Sequence, residues 1–167
     1  MTISMYAASV PPFRRYLSAL GGVLEKGAAF AEAKKIDPSV LLQSRLAPDM
    51  FPLVAQVQRV TDHVKNGTAR LAGIVPPPFA DDETTFAALQ DRLARTRAFI
   101  DTIAPAQIDG GEDREIVLKM REEVRFTALD YLFDFLFPNV LFHATTAYDI
   151  LRHNGVEIGK RDFIGGR

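Results

Sequence analysis

Four long segments of this sequence carry apolar residues at the spacing of an α-helix. In the third segment the spacing is the most regular, with a core-facing residue every three or four positions. These residues are Phe86, Leu89, Leu93, Thr96, Ile100 and Ile103. A stripe of this kind gives a helix one face to bury, and four such helices can bury their stripes against one another. The pattern therefore predicts an all-α four-helix bundle.

The length and charge of the chain limit its partners. With 167 residues, 47% of them hydrophobic, it can bury the core of one domain, so we expect a single domain over residues 1–167. The formal net charge is −1, and no basic stripe follows the chain, which argues against nucleic acid as a partner. No signal-peptide pattern and no membrane-length apolar stretch occur, so we expect a cytoplasmic protein without a membrane partner.

The first helix is predicted from about Thr2 to residue 34, and it contains two unusual dipeptides. Pro11 and Pro12 are expected to kink or restart it, because proline lacks the N–H of the helical ladder and clashes with the preceding turn. Gly21 and Gly22 either weaken the helix or let a neighbour approach closely.

Polar residues predict where the other helices begin. Asp37 predicts a short helix after the first long one. Asp49 is expected to cap the second long helix and Asp82 the third. Thr127, with Asp130 three residues later, predicts the start of the last helix.

Other signals predict where the helices end. Gly73, Pro105 and Gly155 are expected to close the second, third and last long helices, and Pro138 is expected to bend the last one. The sequence after Gly155 shows no pattern and is expected to be irregular.

One stretch breaks the helical spacing. In residues 114–128, REIVLKMREEVRFTA, apolar and polar residues alternate on both sides of a charged turn. A period of two is typical of strands, so we predict a small β-hairpin before the fourth helix.

Asn139 and His143 lie one turn apart on the last helix. At about 100° per residue, both fall on the same side as the apolar Leu136, Ala147 and Ile150, so we expect both to point into the bundle. A buried histidine needs a partner, since an unpaired buried polar group costs about 1–3 kcal/mol. Two interpretations stay open: a metal or catalytic group, or a core histidine bonded to a neighbour.

Gln56 and His63 share one face of the second long helix. If the second and fourth helices are neighbours, either residue could approach His143. Two histidines with an amide oxygen could hold a weakly bound divalent ion, although amides are the poorer ligands. The simpler expectation is that His63 is an exposed surface residue.

The apolar arc of the last helix is wider than one bundle core needs. Phe133, Phe137 and Tyr148 belong to the excess. It either packs under the hairpin and the first helix or forms a self-association surface, and we predict a homodimer.

Three stretches carry a family resemblance: LAPDMFPLVAQVQ at 46–58, residues 114–132, and residues 139–165. They resemble an uncharacterised bacterial family, a domain of unknown function, within the DinB/YfiT-like helical-bundle superfamily. The resemblance implies an up-down-down-up four-helix bundle that is often dimeric; the short helix after helix 1 and the hairpin before helix 4, both predicted from the residues, complete the expected fold. In many members of the superfamily three histidines hold zinc or nickel, and some are thiol-dependent transferases or isomerases.

The resemblance places the three metal ligands on named positions of this chain. One histidine would come from the second helix near Gln56, and a His-x-x-x-His pair on the last helix would fall on Asn139 and His143. Only His143 is a histidine here. Amides at the other two positions should lower the affinity for zinc or nickel, which implies a degenerate metal site.

Two functional hypotheses follow. The first is a metal-poor DinB-like protein that binds a small molecule or a partner in a bundle cavity near Gln56, His63, Asn139 and His143. The alternative is a divalent-metal-dependent enzyme, similar to the thiol-dependent transferases, that uses His143. A purely structural dimer is the third and plainest possibility.

Overall fold

The computed structural model describes residues 3–165, which are mostly helical. The long helices are α1 (Met5–Lys34), α3 (Leu53–Ala72), α4 (Phe86–Ile100) and α7 (Phe137–His153). The short ones are α2 (Pro38–Leu42), α5 (Pro105–Ile108), α6 (Ala128–Asp130) and α8 (Lys160–Ile164), and a π-helical segment, Tyr131–Leu136, joins α6 to α7. Strands β1 (Glu115–Lys119) and β2 (Glu123–Thr127) pair as an antiparallel hairpin. None of the helices described is long and apolar enough to cross a membrane.

The long helices share one hydrophobic core. Helix α3 packs against both α4 and α7, and α1 contacts the same two helices from the other side. The stripe of α3 is fully inaccessible at Leu53, Val57, Val60 and Val64, and the predicted stripe of α4 is buried throughout. The helical core and the hairpin are therefore confirmed, as is the short helix after α1.

Helix α1 continues through both prolines. Ser4 caps it by accepting a hydrogen bond from the Ala7 N–H, and the helix runs unbroken from Met5 across Pro11 and Pro12. The expected restart was wrong, and the expected start at Thr2 lies outside the described residues. Buried side chains on both sides of the prolines, such as Val10 and Phe13, hold the two halves in one core; helices in proteins depend more on such packing than on propensity.

Two of the four predicted caps are correct. The Asp37 carboxylate accepts the N–H of Ser39 at 2.8 Å, and the Thr127 hydroxyl accepts that of Asp130 at 3.1 Å. Asp49 was a wrong prediction, because α3 begins later, after Pro52, without a side-chain cap.

Asp82 was also wrong as a cap. Thr85 begins α4 instead, accepting a hydrogen bond from the Ala88 N–H at 3.1 Å. The acidic residues on either side of Asp82 pair with arginines. Asp81 accepts a hydrogen bond from Arg59, and the buried Glu83 accepts one from Arg92.

The ends of the helices are partly as predicted. Gly73 ends α3 in the left-handed conformation, at φ 69°, and Gly155 follows α7 at φ 92°. Pro105 does not end α4, which stops at Ile100; it starts α5, where its missing N–H costs nothing. The tail is not irregular, because α8 forms there and is held to α1 by a Lys26–Asp162 bond of 2.6 Å.

The irregularity expected at Pro138 lies just before it. The segment Tyr131–Leu136 widens into a π-helix before the proline. Proline has no N–H for the carbonyl four residues earlier, and π turns are a common local adjustment within helices. A π-helical turn holds one residue more than an α-helical turn. The side chains of α7 are therefore rotated about the helix axis relative to those before the π-helical segment.

Most of the excess apolar arc of α7 is packed rather than open. Phe137 lies on Phe13 of α1 with ring centroids 4.6 Å apart, and Tyr148 meets Phe163 of α8 at 5.8 Å. Phe133 is 50% exposed. Helices α1 and α8 thus cover much of the surface from which we predicted a homodimer.

Candidate functional site

Helices α3 and α7 lie side by side and bring Gln56 to His143. The Nδ1 atom of His143 is 2.7 Å from the Oε1 atom of Gln56, across 87 residues of sequence. Gly67 permits the close approach of α3 to the π-helical segment that leads into α7, since a Cβ there would overlap the side chain of Leu136. The expected neighbourhood of the second and fourth long helices is thus observed.

The hydrogen bonds of Gln56 assign the proton on His143. Gln56 is buried, and its Nε2 donates to the carbonyl of Phe51 at 3.1 Å. Its Oε1 is therefore an acceptor, so the N–H of the neutral His143 ring is at Nδ1. The Nε2 atom of His143 consequently keeps its lone pair and is a hydrogen-bond acceptor.

His63 stacks on His143. The ring centroids are 5.5 Å apart and the planes differ by 16°, while the ring of Phe135 packs against His63 at a steep angle with the centroids 6.2 Å apart. The expectation that His63 is exposed was wrong, because the hairpin and the π-helical segment leave it half-buried.

Both rings are neutral at neutral pH. Burial, with smaller contributions from His143, Arg59 and Arg70, lowers the pKa of His63 from 6.5 to about 4. Burial and then Arg59 lower the pKa of His143 as well. Among the described residues, Arg59 and Arg70 are the permanently charged groups that shift these pKa values, and both are cations.

Asn139 lies one helical turn from His143 but its side chain does not join the hydrogen bond between Gln56 and His143. Its Nδ2 donates to the carbonyl of Phe135 in its own helix at 2.7 Å, and within residues 3–165 it makes no hydrogen bond to Gln56 or His143. Asn139 and His143 are both half-buried rather than interior. The helical phase had placed both residues deeper in the bundle than the structure does.

The residues present do not fit the three-histidine metal set. In the part of the chain that the structure describes, no three His, Cys, Asp or Glu side chains lie close enough to hold one ion. The side-chain oxygen of Gln56 already accepts a hydrogen bond from the Nδ1–H group of His143.

Two clefts open beside the paired rings. The first, the hairpin cleft, has a volume of about 240 Å³ and lies between α3, β1 and the π-helical segment. It is lined by Arg59, Asp62, His63, Asn66, Arg70, Leu118, Lys119, Met120 and Phe135. The second, of about 230 Å³, is lined by Asp49, Met50, Phe51, Gln56, Phe142 and His143. His63 and His143 thus each face a cleft while contacting each other.

A second polar group, the Arg92 cluster, was missed by the sequence analysis. It consists of Thr61, Asp62, Asp81, Glu83 and the fully buried Arg92. The signal was present: Arg92 adjoins the buried stripe of α4, and three consecutive acidic residues precede that helix. Of these three acids, Asp82 was given a role from the sequence, as a helix cap.

The fold and the site define the class of this protein, a DinB-like helical bundle. A family model described as "Domain of unknown function (DUF1993)" matches residues 5–164, and the chain belongs to this family. It is also similar to the crystal structure of a DinB family member protein from Shewanella denitrificans. The two share 39% sequence identity over 98% of this chain and 93% of that chain, with a TM-score of 0.90. No curated protein matches the sequence.

Proposed function

We propose that this chain is a DinB-like protein with a degenerate metal site, which binds a small molecule in the clefts beside His63 and His143. The observation that carries the proposal is the 2.7 Å contact between Gln56 Oε1 and His143 Nδ1. Gln56 stands where the resemblance expects a ligand histidine, and it bonds the one histidine that remains.

The chemistry of the paired rings supports binding rather than metal chemistry. Gln56 fixes the orientation and the tautomer of His143, as a positioning partner does for many functional histidines. The ring keeps an acceptor at Nε2 and is half-buried beside a cleft. A neutral, oriented acceptor at the edge of a small cavity suits the recognition of a polar ligand.

Restoring the lost ligands tests the degenerate site. The double variant Gln56→His/Asn139→His supplies the three histidines of the superfamily on one site. We expect equimolar zinc or nickel in this variant, measured by elemental analysis of untagged protein, and substoichiometric metal in the parent chain. Adding His143→Ala to the double variant is the control and should remove the metal.

The same measurement distinguishes the alternative. Equimolar metal in the parent chain that disappears in His143→Ala would contradict our proposal and favour the divalent-metal-dependent enzyme. In that case Gln56 would position His143 and the ion would bind to the ring Nε2 atom.

We further propose the up-down-down-up order of the superfamily for the long helices, and a homodimer. The exposed apolar side chains of Leu129 and Phe133, 42% and 50% accessible and one turn apart, support association. A molar mass of two chains in light scattering at micromolar concentration, reduced to one chain by Phe133→Ser, is the expected result.

A further inference from the structure

We propose that the ligand of the hairpin cleft is a small organic oxyanion, either a carboxylate or a phosphate monoester. This inference rests on the proposed function, because it names the chemical class of the small molecule that binds beside His63.

One face of α3 forms the floor of the hairpin cleft. Arg59, His63, Asn66 and Arg70 recur at helical spacing along it and all line the cavity. The end of β1 forms the opposite wall and contributes Lys119. The cleft therefore gathers three cationic side chains from two elements that are about 50 residues apart in sequence.

Only part of this positive charge is neutralised within the protein. Arg59 bonds Asp81 at 2.6 Å, and the one carboxylate that lines the cleft, Asp62, bonds the buried Arg92 at 2.8 Å. Arg70 and Lys119 have no carboxylate within ion-pair distance among residues 3–165. The cleft thus holds two cations without an anionic partner.

The guanidinium of Arg70 is held by a neutral group. Its Nη1 donates to the hydroxyl of Tyr131 at 3.3 Å, and Tyr131 is buried in the core. This bond restricts the guanidinium without neutralising it. A positioned guanidinium beside a lysine is a common arrangement for binding the oxygens of carboxylates and phosphates.

The remaining walls suit a small ligand with an apolar body. Phe135, Leu118 and Met120 supply apolar surface, and Asn66 and the neutral ring of His63 supply hydrogen-bonding groups. The volume of about 240 Å³ lies just below the usual range for drug-sized ligands. The cavity therefore fits one short organic acid, and the apolar wall favours it over a bare inorganic ion.

Three probes of similar shape test the charge of the ligand: benzoate, phenyl phosphate and the neutral benzamide. Each is titrated to millimolar concentration into ¹⁵N-labelled full chain, and the ring signals of His63 and the backbone amides of α3 and β1 are followed by NMR. We expect one or both anions to shift these signals and benzamide to bind at least tenfold more weakly. The anion that binds more tightly identifies the head group.

Charge-removing variants locate the site. Arg70→Gln and Lys119→Gln should each weaken anion binding about tenfold, since a charged hydrogen bond is lost. Lys34→Gln removes an exposed cation at the end of α1, away from the cleft, and should leave binding unchanged. Lys119 makes no side-chain hydrogen bond among the described residues, so its variant keeps the test valid if Arg70→Gln loosens Tyr131.

The outcomes separate this inference from the function on which it rests. Benzamide binding as tightly as the anions at His63, or anion binding unaffected by both cleft variants, would overturn the oxyanion and leave small-molecule binding in place. If no probe shifts the signals of His63, the oxyanion inference fails, and the proposed function is then decided by the metal measurement alone.

Discussion

Asp62 and His63 are consecutive residues of α3, yet they belong to two polar groups of opposite character. Asp62 is part of the Arg92 cluster, in which all three guanidinium nitrogens donate hydrogen bonds within the protein. The acceptors are oxygens of Thr61, Asp62, Ala80 and Glu83, at 2.6–3.1 Å, and an oxygen of Asp81 lies within ion-pair distance at 3.0 Å. His63 instead stacks on His143, whose ring keeps a nitrogen for an outside partner.

The difference separates a structural group from a candidate binding group. In the Arg92 cluster the guanidinium is fully buried and each of its nitrogens is bonded within the protein, and these bonds hold the connector between α3 and α4 to both helices. The histidine pair is half-buried, neutral and next to two clefts. We therefore expect substitutions in the cluster to affect stability, and substitutions at the pair to affect binding.

The largest effect should come from Arg92→Met. The substitution leaves the buried Glu83 carboxylate without its cation, and breaking a buried pair in this way costs about 3–5 kcal/mol. Urea denaturation followed by circular dichroism measures the loss in the free energy of unfolding.

Arg14→Met is the matched control for Arg92→Met. Arg14 also pairs with an aspartate, Asp101, but its side chain is 57% exposed, so we expect a loss of at most about 1 kcal/mol. Equal losses in the two variants would show that the Arg92 cluster is no more structural than a surface ion pair.

A smaller effect, which depends on pH, should come from His63. Above pH 6.5 the ring is neutral in both the folded and the unfolded chain. Between pH 6.5 and about 4 the unfolded chain binds a proton that the folded chain does not, so stability falls as the pH falls. After allowance for partial exposure, we expect His63 to contribute about 2 kcal/mol to this loss.

The variant His63→Gln isolates that contribution. The difference in unfolding free energy between about pH 7 and about pH 4.5 should shrink in this variant relative to the parent chain. An undiminished pH dependence in His63→Gln would mean that the ring is as accessible to protons when folded as when unfolded.

The sequence was informative about the fold where spacing alone decides the structure. The stripes of α3 and α4 and the alternation in β1 and β2 predicted those elements correctly. Prediction was poor where tertiary contacts choose among local signals: Pro11 and Pro12 remain helical because both flanks are buried, and Asp82 does not cap a helix although its chemistry is suitable.

The candidate site could be predicted only in part, for a geometric reason. Periodicity and the resemblance brought Gln56 and His143 together, and both lie in one hydrogen bond. Periodicity gives the face of a helix on which a residue lies and not how far neighbouring elements cover it, so the half-buried state of His63 and of Asn139 could not be predicted.

The smallest predicted effect separates the two amides of the site. Gln56→Ala leaves the Nδ1–H of His143 without its acceptor, which should cost about 1 kcal/mol and release the ring to both tautomers. Asn139→Ala removes only a local hydrogen bond, from the side chain to the carbonyl of Phe135 four residues earlier. Alanine also has a high helix propensity, which offsets part of this loss. We therefore expect a change within about 0.5 kcal/mol for Asn139→Ala.

The ¹⁵N chemical shifts of the His143 ring report its tautomer, which a measurement of the unfolding free energy does not. They should report a single tautomer with the proton on Nδ1 in the parent chain and in Asn139→Ala, and a mixture in Gln56→Ala. A mixed tautomer already in the parent chain would contradict the positioning role of Gln56. A shift of the His143 ring in Asn139→Ala as large as that in Gln56→Ala would show that the two amides act on the histidine together, as the ligand positions of an intact metal site would.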